Sequence, residues 1–140
     1  MNDIKTVVQQ FCQFLSQRDL KNLVSLFSEH VDWYIPGDME RVKWLGRRSN
    51  RQSVQEFYEL LWKNTEPVSA TIDAIFFEDN KAVISGAFTT LMLQTGKSVD
   101  SLFFIQMTVE AGNITHYRLL EDSHAVSVAL SPLENPSGER

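Results

Sequence analysis

The stretch Val99–Asp122, VDSLFFIQMTVEAGNITHYRLLED, constrains the fold more than any other part of the chain. Two runs rich in β-branched and aromatic residues, Val99–Val109 and Ile114–Asp122, flank Glu110-Ala111-Gly112-Asn113. A short Gly-containing connection between such runs predicts a β-hairpin. Leu102, Phe103, Phe104 and Ile105 are apolar in succession, so both faces of the pleat are apolar there. A strand with one wet face alternates instead. The sheet is therefore expected to be covered twice, by helices on one face and by a second subunit on the other.

The N-terminal half reads as helical. Asn2 or Asp3 can cap a first helix whose Ile4, Val7, Val8, Phe11, Phe14 and Leu15 share one face. Asp19 can cap a second helix carrying Leu20, Leu23, Val24 and Phe27, with Glu29-His30 at its end. Val31–Ile35 reads as a short strand stopped by Pro36-Gly37, and a loop then runs to Arg48. Ser49 with Gln52 forms a capping box for a third helix striped by Val54, Phe57, Tyr58 and Leu61. Strands follow over Val68–Phe77, Ala82–Leu93 and the central hairpin, and Asp122 or Ser123 caps a last short helix through Leu130. Helices first and long strands afterwards predict an α+β fold, with helices packed on one face of a curved antiparallel sheet. The open end of such a cone is a natural pocket. Residues 1–130 read as one domain and 131–140, with Pro132, Pro136 and Gly138, as a flexible tail.

Composition narrows the function classes. A 43% hydrophobic fraction over 140 residues supports a real core, and a net charge of −5 disfavours nucleic acid or an anionic membrane as partner. Met1–Gln10 lacks the basic start and apolar block of a signal peptide, and Cys12 is the single cysteine, so a cytoplasmic location is expected. His30, His116 and His124 have no ligand spacing for a metal, and the glycines form no phosphate-cradling motif, so neither metal nor cofactor is expected.

Several local phrases carry a family resemblance. They are Arg18-Asp19-Leu20, Leu26-Phe27-Ser28-Glu29 leading to Val31-Asp32-Trp33 and Pro36-Gly37, Trp44-Leu45-Gly46, Val54 with Phe57-Tyr58, and Gly112-Asn113-Ile114 followed by Arg118 and Asp122. In this order the chain resembles the nuclear transport factor 2-like superfamily, in its SnoaL-like, ketosteroid-isomerase-related branch. The resemblance implies a cystatin-like cone: a curved antiparallel sheet wrapped on three N-terminal helices, with a short C-terminal helix. It also implies where catalytic groups would sit. The general-base Asp of the steroid isomerases falls at Ile35, the helix-one Tyr at Phe11 and the protonated Asp at Phe104. The epoxide hydrolases' Arg and Asp fall at Gly86 and Phe88, and their last-strand Asp, like the acid–base Asp of the cyclases, falls at Leu119.

The same alignment turns Leu102, Phe104, Gln106 and Thr108 towards the helices, beside Thr115, Tyr117, Leu119 and Glu121. The expected pocket is then apolar, walled by Phe11, Trp33, Ile35, Phe104 and Leu119. Tyr58 and Tyr117 are its candidate donors, Gln106 its orienting amide and Glu121 its candidate base. Phe103, Ile105, Met107, His116, Arg118 and Leu120 fall on the opposite face, the expected homodimer surface, with Arg118 paired to a carboxylate. Three readings follow: cofactor-free acid–base chemistry on a hydrophobic ligand, a non-catalytic carrier or sensor of one, or a dimerisation module.

Overall fold

The computed structural model describes residues 3–132; residues 133–140 of the expected tail, and Asn2 as a cap, lie outside the described residues. Helix α1 spans Ile4–Gln17, and its apolar stripe buries Val7, Val8 and Phe11. Its N-cap is Asp3, whose carboxylate accepts the Thr6 N–H at 2.9 Å. Asp19 caps the short α2, Leu20–Ser25.

Strand β1 runs from Phe27 to Ile35, starting earlier than the Val31 expected. The Ile114 N–H bonds the Leu26 carbonyl at 2.8 Å and Phe27 pairs Ile114, so the backbone is already extended where Glu29-His30 was expected to end a helix. The loop expected up to Arg48 contains a further strand, β2, Gly46–Asn50, antiparallel to β1. Its sequence, GRRSN, has no β-forming pattern; short and charged, it suits the sheet edge it occupies. The capping box of α3, Arg51–Asn64, is one residue on from that expected. Asn50 accepts from the Ser53 N–H at 2.8 Å, and Ser53 Oγ closes on the Asn50 N–H.

The remaining strands are β3 Thr65–Glu78, β4 Lys81–Met92, β5 Ser98–Glu110 and β6 Asn113–Glu121, and α4 follows at Ser123–Ala129, capped by Asp122. The sheet order is β2-β1-β6-β5-β4-β3, antiparallel except where β1 meets β6. Two-residue turns close two of the hairpins. Ala111 and Gly112 both hold positive φ, 52° and 83°, as the right-handed strand twist demands of a tight hairpin.

The β5–β6 register differs from the one expected, and a bulge is the reason. Near the turn Glu110 pairs Asn113 and Val109 pairs Ile114; Thr115 is then left unpaired, and Thr108 pairs His116. Counting back from the turn without that extra residue sets Gln106 opposite Tyr117. With it, Met107 faces Tyr117, Ile105 faces Leu119, Phe103 faces Glu121 and Gln106 faces Arg118. Directly paired residues share a face, so one inserted residue reverses one strand's facing relative to the other. On β5 it is thus Phe103, Ile105, Met107 and Val109 that turn towards the helices. Leu102, Phe104 and Gln106 point out.

The core sits between this inner face and α1–α3. Its centre is aromatic. Trp33 stacks on Tyr117 with centroids 4.1 Å apart and 14° between planes, and Phe57 meets Trp33 edge-on at 4.8 Å. Phe27 packs against both rings of this stack, 5.6 Å from Trp33 and 5.9 Å from Tyr117, and Phe11 lies 6.0 Å from Tyr117. Trp33, Tyr58, Phe11, Phe27 and Phe57 are the largest fully buried side chains of this core.

Candidate functional site

The cone encloses a cavity of about 460 Å³, within the range of small-molecule sites. Each layer contributes a wall. From α1 come Phe11, Cys12 and Leu15, and from α3 come Phe57, Tyr58, Leu61 and Trp62. The sheet contributes Ile35, Ile84, Phe88, Phe103, Ile105, Tyr117, Leu119 and Glu121, and Trp44, Leu45 and Val126 close one end. Nearly all of this is hydrocarbon or aromatic ring.

The polar groups are few and unequal. Tyr58 is 2% exposed, and its hydroxyl is buried without a hydrogen-bond partner. Burial, and the neighbouring Tyr117 phenol, push its pKa well above the usual phenol range. Burial likewise raises that of Tyr117, opposed by the Tyr58 hydroxyl directed at it. Both phenols therefore keep their protons and can only act as donors or neutral acceptors near pH 7. Glu121 is half-buried at the end of β6, where loss of solvent, and then the charge of Asp122, raise its pKa to about 7. A carboxyl at that value exchanges a proton at physiological pH with little driving force either way. Tyr117 and Glu121 lie four residues apart on one strand and so point into the same space, with Leu119 between them. Burial raises the pKa of the Cys12 thiol, which leaves it a weak nucleophile.

Tyr58, Tyr117, Glu121, Phe11, Ile35 and Leu119 line one cavity. Trp33, completely buried, stands behind the wall as the plate on which Tyr117 stacks. Phe104 and Gln106 are not in the site: Phe104 is 49% exposed and Gln106 is exposed, both on the outer face. The position read as the missing isomerase Asp thus belongs to outward Phe104, and its inward neighbours Phe103 and Ile105 are equally apolar. Missed by sequence reasoning were Trp44 and Leu45, which reach the cavity from a loop, Phe88, and Arg18 at the end of α1.

The expected homodimer surface changes in the same way. Phe103, Ile105 and Met107 are internal, whereas His116, Arg118 and Leu120 are on the outer face. Leu120 there joins Leu102, 69% exposed, and Phe104 around a groove of about 570 Å³. Arg118 meets a carboxylate as expected, that of Asp32 in the same chain at 3.0 Å, and His116 lies 3.9 Å from the same group. Among the described residues there is no cluster of candidate metal ligands and no helix long and apolar enough to cross a membrane.

A curved, unclosed sheet wrapped on helices around an apolar chamber is the architecture of nuclear transport factor 2-like proteins. Residues 8–117 match the SnoaL-like domain model, and the chain belongs to that family. An NTF2-like protein from Burkholderia xenovorans LB400 superimposes with a TM-score of 0.82 at 17% identity, over 91% of this chain and 95% of that one. A protein provisionally assigned as a SnoaL-like polyketide cyclase, from Mesorhizobium loti, gives 0.69 at 16% identity over 84% and 98%. TerC, co-crystallised with polyporic acid, gives 0.78 at 15% identity over 91% and 97%. No curated protein matches the sequence.

Proposed function

We propose that this chain binds a small hydrophobic, carbonyl-bearing molecule in its cone and moves a proton on it without a cofactor. One observation carries the reading: the buried Tyr58 and Tyr117 phenols meet on an apolar cavity wall, the Tyr58 hydroxyl with no hydrogen bond of 3.5 Å or less, and a carboxyl of pKa about 7 lines the same cavity. A buried hydroxyl with no partner costs about 1–3 kcal/mol, which a ligand acceptor would recover. In this reading the two phenols donate to the ligand's carbonyl oxygen and stabilise the oxyanion as it forms. Glu121, ionised, takes the neighbouring carbon-bound proton and returns it elsewhere. The polyketide-cyclase neighbour and TerC support a small-molecule role for the chamber. A non-catalytic carrier is the second reading. It is favoured by the apolar Phe11, Ile35 and Leu119 at the places where the family resemblance sets catalytic polar groups. We further propose that the outer face around Leu102, Phe104 and Leu120 pairs two copies of the chain, since so much exposed hydrocarbon on one sheet face is unusual for a monomer.

The test uses 2-acetonaphthone, an apolar ketone, in deuterated buffer. Binding is followed by calorimetry and exchange of the methyl protons by NMR. Faster exchange with the wild type, abolished in Glu121→Gln while binding persists, is the expected result. Binding without exchange selects the carrier, and no binding at millimolar ketone overturns both readings.

A further inference from the structure

Among the described residues, Arg18 is the one Lys or Arg lining the cavity. Its backbone is unusual for its residue type. As the C-cap of α1 it sits at φ 51°, ψ 39°, in the left-handed region, and its N–H closes on the Leu15 and Phe14 carbonyls. That position favours Gly or Asn, because a Cβ crowds the neighbouring carbonyl there. The arginine side chain lies against α3. The guanidinium carbon lies 5.5 Å from the centre of the Trp62 ring, and Nη1 is 3.5 Å from the Trp62 carbonyl, a long contact. Among the described residues, no carboxylate lies within 4.0 Å of it; the ion pairs formed are those of Asp32 with Arg118 and His116. The adjacent carboxylate of Asp19 is engaged with Asn22, at 2.7 Å from its side-chain amide and 3.4 Å from its N–H.

A half-buried guanidinium with donors to spare, fixed over an indole at the rim of an apolar chamber, is a carboxylate receptor in its chemistry. We propose that Arg18 binds the anionic oxygens of the ligand, so that the cone prefers a hydrophobic carboxylate to a neutral molecule of the same shape. This rests on the ligand-binding reading above and names its substrate class: an acid group held at Arg18, with the apolar body laid along Leu61, Trp62 and Leu15 towards Tyr58. Trp62 has a double part, as a platform for the guanidinium and as cavity wall. A purely structural Arg18 would cap α1 and cover Trp62, and would be indifferent to the charge of what enters.

Two probes of matched shape separate these roles: 2-naphthoate and 2-naphthalenemethanol, titrated by calorimetry at pH 6, where the first is an anion and Glu121 holds its proton. The wild type is expected to bind the acid about tenfold more tightly than the alcohol, as one charge-assisted hydrogen-bonded pair allows. Arg18→Gln and Arg18→Gly should lose that preference and bind the alcohol as the wild type does. Arg18→Lys should keep part of it. The glycine variant suits the left-handed backbone, so its fold is secure, and an unchanged melting profile checks the others. Equal affinity of the wild type for the two probes overturns the proposal. So does a glutamine variant that weakens both alike, since that reports packing. If the alcohol binds and the acid is not preferred, the ligand-binding reading survives alone; if neither probe binds, both fall.

Discussion

Replacing Glu121 by Gln isolates the group whose proton matters most. In the unfolded chain this carboxyl titrates at the ordinary 4.5; in the native cone it titrates at about 7. The native state therefore binds the proton more tightly, and protonation stabilises the fold. Below pH 4.5 both states carry the proton and stability is at its full value. Between pH 4.5 and 7 the unfolded chain releases its proton first, and stability falls as pH rises. Above pH 7 both are ionised and the loss is constant. At ~1.4 kcal/mol for each tenfold in proton affinity, the complete loss is ~3 kcal/mol, of which ~2.5 kcal/mol falls between pH 5 and pH 8. Solvent reaches part of the side chain, so these are upper bounds, and at least ~1 kcal/mol of pH dependence is expected. The carboxylates of Asp3 and Asp38, held low mainly by hydrogen bonds from Thr6 and Ser127, work in the opposite sense. Their contribution is lost only as pH falls through values below 3.8, outside this window. The assay is urea unfolding of wild type and Glu121→Gln at pH 5, 6, 7 and 8. The wild type should lose stability across the series while the variant stays level, and the variant should be the more stable of the two at pH 8. A wild type equally stable at pH 5 and pH 8, or a variant that keeps the wild-type slope, would show that Glu121 is solvated like any surface carboxylate and has no claim to be a base poised near neutrality.

Two further outcomes follow from the geometry. Tyr58→Phe removes a buried hydroxyl that has no protein partner, so stability should hold or rise by up to ~1 kcal/mol, while 2-acetonaphthone affinity drops several-fold; a loss of ~2 kcal/mol in urea would instead reveal a structural hydrogen bond. Phe104→Glu charges an outer face that is 49% exposed at that residue, so far-ultraviolet circular dichroism should be unchanged while light scattering after size exclusion passes from dimer to monomer. A wild type that is monomeric at micromolar concentration contradicts the pairing of copies.

How much of this was legible depends on which interaction decided each segment. Helix α1 was readable because its apolar residues recur with the period of the element they form. Strand β2 was not, because Arg47, Arg48 and Ser49 are extended only by virtue of pairing with β1, a long-range cause that leaves no local pattern. Strand β5 defeated periodicity altogether: with Leu102 to Ile105 apolar in sequence, either facing fits, and only its partner strand chooses. That choice passes through one residue, Thr115.

The whole polar complement of the cavity wall on β6 depends on that bulge. The residue pairs with hydrocarbon on β5 opposite Tyr117, Leu119 and Glu121 are Met107, Ile105 and Phe103, so each polar group on β6 faces an apolar cross-strand neighbour. Without the extra residue, Tyr117 and Glu121 would instead oppose Gln106 and Leu102, and the chamber face of β5 would carry an amide. In the observed register the neighbours of Tyr117 and Glu121 on β5 are hydrocarbon. Burial in that chamber keeps the Tyr58 and Tyr117 phenols protonated and raises the pKa of Glu121. The apolar surroundings of the β6 groups thus follow in part from strand register, which a linear reading does not show.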